Sequence, residues 1–169
     1  MPNWCSCELW ISGPKESIIE FRDMAKEKPS EKERVQPFLN KEWPLSALSL
    51  PNFVPMPKEL EETDSPSKDT NSELIAKYGA DNWYEWRIAN WGIKWDVDAK
   101  KEDEWLEEED ASLLYQFDAP WGPPDKWLEK VAAMYPNLNF RLKYDEPGMA
   151  FMGVLIGING HVSDNCLNY

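Results

Sequence analysis

Cysteine is scarce in this chain: Cys5, Cys7 and Cys166 are the three among 169 residues. An odd, sparse count excludes a disulfide framework and fits reduced thiols in a cytoplasmic protein. Histidine is scarcer still, with His161 alone, which leaves little material for a Ser-His-Asp or Cys-His centre. An iron-sulfur cluster normally takes four thiolates, one more than the chain holds. A zinc site would have to be assembled from Cys5, Cys7, Cys166 and His161, whose spacings are unlike those of closed zinc sites, so no metal or other cofactor is expected. No run of about 18 apolar residues is present, and MPNWCSCELW has neither the basic nor the apolar region of a signal peptide, so a cytoplasmic protein with no membrane partner is expected. Basic residues are outnumbered, 18 against 31, and the net charge of -13 repels free nucleic acid and anionic surfaces. Glycine-rich phosphate loops are missing too: Gly153, Gly157 and Gly160 fall in an apolar stretch, not at a strand-to-helix turn.

What is present is a patterned globular sequence. Cys5, Cys7, Leu9 and Ile11 alternate with polar residues and tryptophans over residues 3–11, the mark of a half-buried strand whose cysteines act as small hydrophobes. Gly13-Pro14 ends it and opens a helix with Pro14 at its first position, an apolar stripe of Ile18, Phe21 and Ala25, and an end near Pro29. Residues 29–92 read as a long insertion, with an apolar ribbon over 48–57, a mobile point at 68–71, a short helix closed by Gly79, and a second helix capped by Asn82 and Glu85. A strand is expected over Ile93–Asp98, with Ile93, Trp95 and Val97 on one face. An acidic loop follows, since residues 102–110 carry seven carboxylates in nine positions. Strands through Leu113, Tyr115 and Phe117, through Leu138–Tyr144 and through Met149–Ile158, with a helix striped by Trp127, Leu128, Val131 and Met134, complete the chain. The order predicts one α+β domain over residues 1–169, a ferredoxin-like βαββαβ antiparallel sheet with two helices on one face and an extra C-terminal strand.

Tryptophan is abundant, ten in all, and four fall within residues 82–96. An indole N–H needs a partner when buried, so this segment is either a structural knot or a recognition surface. The structural reading carries more weight: Gly92 would allow a left-handed turn, Asn90 would bond the backbone around it, and Arg87 or Lys94 would pair with Asp96 or Glu85. The candidate binding residues are Trp86, Arg87, Asn90, Trp91, Lys94, Asp96, Trp121 and Glu146. Asp96 and Asp98 would share a strand face that Glu146 approaches, a cluster able to hold a divalent cation or act as an acid-base pair.

Four ordered blocks resemble the YubB-type ferredoxin-like domain family of bacteriophages, prophages and conjugative plasmids. They are Asn3–Gly13, Trp83-Tyr84-Glu85-Trp86 with Asn90–Asp96, Phe117–Pro124, and Tyr144–Gly148. Ile93 stands where threonine is common, and Asp118, Pro120 and an inserted Gly122 alter the third block. The resemblance implies a ferredoxin-like fold and a mobile-element origin, and it carries over no catalytic residue.

Two functions follow from these observations. One is a non-catalytic acidic module that binds a host or element-encoded protein through carboxylates and exposed aromatics, in its sharper form a DNA mimic occupying a basic groove. The alternative is a carboxylate-dependent, metal-assisted enzyme built on Asp96, Asp98 and Glu146.

Overall fold

The computed structural model describes residues 2–28, 45–106 and 109–169, with the side chain of Glu102 left aside. The strands are β1 (Trp4–Pro14), β2 (Lys100–Trp105), β3 (Asp110–Pro120), β4 (Asn139–Glu146), β5 (Phe151–Ile158) and β6 (His161–Asn168). The helices are α1 (Lys15–Ala25), α2 (Lys58–Glu61), α3 (Ser72–Tyr78), α4 (Trp83–Trp91) and α5 (Asp125–Met134), with a 3-10 turn at Leu50–Asn52.

The six strands form one sheet in the order β2-β3-β1-β4-β5-β6, antiparallel throughout. Within it, β1-α1-β2-β3-α5-β4 is the ferredoxin-like frame, extended beyond β4 by two strands where one was expected. The alternation in β1 does what it predicts: Cys5, Cys7, Leu9 and Ile11 are buried on the face covered by α1 and α5. Ile18, Phe21 and Ala25 of α1, and Trp127, Leu128, Val131 and Ala132 of α5, complete that core. On β5 the two glycines sit opposite aromatic residues of β4, Gly153 beside Tyr144 and Gly157 beside Phe140. Missing side chains there let both rings lie across the strand.

The ribbon through residues 48–54 and helix α4 of the insertion pack onto the helical layer. Phe53 stacks on Phe21 with centroids 4.7 Å apart and meets Trp127 edge-on at 5.7 Å. Trp127 donates its indole N–H to the Leu50 carbonyl at 3.2 Å, and the Asn52 amide caps the open carbonyls of Met24 and Lys26 at the end of α1. α3 and α4 form as their caps predict, with Asn71 and Asn82 accepting backbone N–H groups and Gly79 and Gly92 closing them in the left-handed region. α1 begins at Lys15, one residue after Pro14, and ends at Ala25 with its cap at Lys26, short of the end expected near Pro29.

Two expectations need correction. Residues 93–98 are not a strand: Ile93 and Val97 are buried, but the backbone joins the insertion, with Ala47 N–H donating to Ala99 O at 2.8 Å and Ser46 Oγ to Val97 O at 3.2 Å. Alternation detected burial and misjudged the partner. The strand instead lies in the acidic stretch as β2, of whose loop Glu107 and Glu108 lie outside the described residues. An edge strand keeps its charges in water, and Glu104 is held by Arg22 at 2.5 Å and by Lys101. Both cations lower the Glu104 carboxyl below its ordinary value, Lys101 foremost.

Asp81 organises the segment expected to be mobile. It accepts from Ser67 Oγ, from Asn71 N–H at 3.2 Å and from Asn82 Nδ2 at 3.0 Å, and these bonds, Ser67 first, hold its carboxyl below the usual aspartate range. A depressed carboxyl stabilises the fold above the unfolded-state pKa and loses that contribution as pH falls through the folded value. Asp81→Asn is therefore expected to lower Tm at pH 7 and to match the parent once both are below the folded value, as a pair of pH-resolved melting curves would read.

Candidate functional site

The four sequence blocks meet at one end of the sheet, where β1 and β5 begin and β3 and β4 end. Trp4 lies opposite Pro120, and the Asn3 carbonyl accepts the Trp121 N–H at 2.9 Å, which ties the first block to the third. The Trp4 ring lies 6.4 Å from that of Trp95, which brings in the second. A side chain at Gly148 would strike the Asn3 amide and Glu146 Oε1, which brings in the fourth. Gly92 presses against Asp125 just beyond the Trp121–Pro124 turn, so that turn is gripped from both sides. Burial in this contact raises the Asp125 carboxyl above its ordinary value.

The end is rimmed by exposed indoles. Trp4, Trp95 and Trp121 are 49%, 40% and 50% exposed. Trp121 has a φ of 71°, and Ala150 in the β4–β5 turn has 55°. L-residues adopt this left-handed region at a cost of roughly 1–2 kcal/mol. Beneath the rim, Glu146 is fully buried; Oε2 accepts the Met149 N–H, while Oε1 has no partner among the described residues.

The candidate residues divide into two groups. Trp86 and Trp91 are buried and meet edge-on at 5.9 Å, and Trp91 donates its indole N–H to Val54 O at 2.9 Å. Arg87 lies over both Trp83 and Trp91, 5.2 and 5.1 Å from their centroids, and donates to Lys94 O at 3.1 Å. Its expected pairing with Asp96 or Glu85 is not formed; burial lowers its pKa against the opposing pull of Asp96 and Glu61. Asn90 donates to Trp86 O at 2.8 Å and accepts from Lys130. These four residues lock α4 to the insertion and α5.

Lys94, Asp96, Trp121 and Glu146 belong to or border the indole end. Lys94 sits 4.0 Å from the Trp95 ring centroid, and Trp95 faces solvent instead of the sheet. Asp96 accepts Leu50 N–H and Val97 N–H on Oδ1 and Ser49 Oγ–H on Oδ2. Burial of this carboxylate pushes its pKa up against the pull of those bonds. Asn3 and Trp4 were absent from the candidate set, because nothing in a linear sequence shows which strand ends meet.

The sheet face away from the helices is uncovered among the described residues. Near the indole end it holds an open groove of about 280 Å³ lined by Ser6, Glu8, Asp98, Lys100, Gln116 and Asp118. Further along, Arg141 lies over Trp10 at 5.2 Å. Asp98 thus faces this groove, while Asp96 is bonded to the ribbon and Glu146 is buried beneath the turn. The expected three-carboxylate cluster is not assembled, and no group of three or more metal-ligating side chains occurs among the described residues. No helix among them is long and apolar enough to cross a membrane.

Residues 94–168 match the family described as the ferredoxin-like domain in Api92-like protein. A search of curated proteins returned no match. The crystal structure of the protein Api92 from Yersinia pseudotuberculosis is similar, with a TM-score of 0.55 and 11% identity over 100% of this chain and 98% of that one. Identity at that level speaks for the fold alone. From Lys94 to Asn168 the chain is thus similar to the Api92-like ferredoxin-like domain, and over its whole length it shares the fold of Api92.

Proposed function

We propose that this chain is a non-catalytic recognition module of a mobile element that binds a host or element-encoded protein through the Trp4, Trp95 and Trp121 rim. The observation that carries this reading is Trp121, a large aromatic residue held half exposed in a left-handed conformation. Core packing gives no reason for that arrangement, and such strain is retained where a side chain must be presented. Tryptophan is also among the residues that dominate interface energetics. Glu8, Asp98 and Asp118 flank the rim and, with the net charge of -13, favour a basic partner surface. The DNA-mimic form of this reading identifies that surface as a nucleic-acid groove. The YubB-type resemblance supports a mobile-element setting, since its four blocks are the ones that converge here. The metal-assisted alternative draws no support from the separated Asp96, Asp98 and Glu146.

Immobilised wild-type chain should retain a basic protein from bacterial lysate at low salt and release it as salt is raised. A Trp4→Ala/Trp121→Gly chain should retain none. Retention of the same protein by both chains, or by neither, would overturn the proposal. Competition between the captured protein's DNA and this chain then tests the mimic form.

A further inference from the structure

The two edges of the sheet are built differently. β2 spans six residues, reads KKEDEW, and has a bulge between Lys101 and Asp103, three devices that discourage another strand from pairing. β6 spans eight residues, HVSDNCLN, with no proline, no lysine and one carboxylate, in unbroken register with β5. Its outer edge is therefore a continuous row of backbone donors and acceptors with little to repel a second strand.

The orientation of that row can be read from the pairing. Tyr169 N–H donates to Ala150 O at 2.9 Å, one step beyond the Phe151–Asn168 pair. Antiparallel pairs alternate between bonded and non-bonded, so the odd-numbered residues of β6 bond to β5. Val162, Asp164, Cys166 and Asn168 then direct their N–H and C=O groups outward.

We infer that β6 is a strand-addition edge for a second copy of this chain, paired antiparallel about a two-fold axis at Asn165. A symmetric pairing must set the outward residues opposite one another with the uncovered faces on the same side. Two central registers satisfy this. One places Asp164 opposite Asp164 of the other copy, which sets two carboxylates face to face. The other places Asp164 opposite Cys166 and Asn165 opposite itself, and gives about eight backbone bonds. Charge selects the second. Leu167, 68% exposed, then lies across from Ser163, and Tyr169, 61% exposed, across from His161, so the seam covers two of the most exposed apolar side chains. A second copy fits because the strand is complementary to itself in this register. The seam is small beside the roughly 1,200–2,000 Å² of a stable interface, and each copy carries a charge of -13, so association is weak and strengthens with salt.

Light scattering at rising concentration and high salt is expected to show the mass approaching twice 19.7 kDa. In a Cys166→Ser background, Asn165→Cys should oxidise to a covalent dimer, because non-bonded pairs place Cα atoms about 4.5 Å apart, within disulfide reach. Ser163→Cys in the same background should not. Cys166→Pro removes one outward N–H and none that β5 uses, so it should abolish the doubling while the melting curve of the monomer is kept. Asn165→Lys serves the same purpose should the proline perturb folding, since it sets two cations together on the axis. A monomer mass throughout, equal cross-linking at positions 163 and 165, or a dimer that survives the proline or lysine variant would overturn the inference.

Discussion

Trp91→Ala is expected to lower the unfolding free energy by about 3–5 kcal/mol, within the range for emptying a buried tryptophan site. Trp91 is nearly inaccessible, its indole N–H is bonded to Val54 O, its ring meets Trp86 edge-on, and Arg87 lies over its face. Truncation removes the contacts that join α4 to the ribbon, leaves the Val54 carbonyl without its donor and takes away one of the two indoles over which Arg87 lies. For a chain of this length the loss corresponds to a fall in Tm on the order of 10 °C. Trp91→Phe separates the contributions: it keeps most of the apolar area and orphans the Val54 carbonyl, at about 1–3 kcal/mol. Chemical denaturation of the three chains measures both steps, and near-equal midpoints would show that the knot does not hold the insertion.

Trp121 should behave in the opposite way. Trp121→Gly is expected to weaken partner binding by more than about 2 kcal/mol, roughly thirtyfold, as for a central aromatic anchor, with little loss of stability. Glycine adopts the left-handed backbone without the steric penalty, so Trp121→Gly should be more stable than Trp121→Ala by about 1 kcal/mol. Both variants should bind equally poorly, because both lack the indole. Denaturation and binding measured side by side test the separation of strain from recognition. A Trp121→Ala chain as stable as Trp121→Gly would remove the argument from strain.

The frame was legible wherever a local pattern matched a local cause. Alternation at Cys5, Cys7, Leu9 and Ile11 located β1, and Asn82, Glu85 and Gly92 marked both ends of α4. The misses have physical reasons. Ile93 and Val97 report burial, and burial alone cannot tell a sheet from a ribbon of the insertion. β2 is hidden because an edge strand tolerates charge, and β6 because its side chains are mostly exposed. One signal for β6 was present: Asn159-Gly160, with φ of 51° and 80°, is the tight turn of a hairpin. At the candidate site, Trp121 and Glu146 came from blocks whose meeting the structure shows. Trp86 and Trp91 looked equally suited to recognition because sequence does not report depth. Trp4, which does reach the surface, looked like an ordinary alternating residue of a strand.

The position of β1 between β3 and β4 bears on how the chain emerges from the ribosome. Its two neighbours in the sheet lie about a hundred residues or more downstream, at Asp110–Pro120 and Asn139–Glu146. Synthesis at roughly 5–20 residues per second leaves Cys5, Leu9 and Ile11 without sheet partners for several seconds, with α1 the nearest cover. Contacts so distant along the chain also slow the final closure. A nascent chain arrested before residue 139 would lack the strand that completes the centre of the sheet, and during that interval its first strand is a natural client for a chaperone.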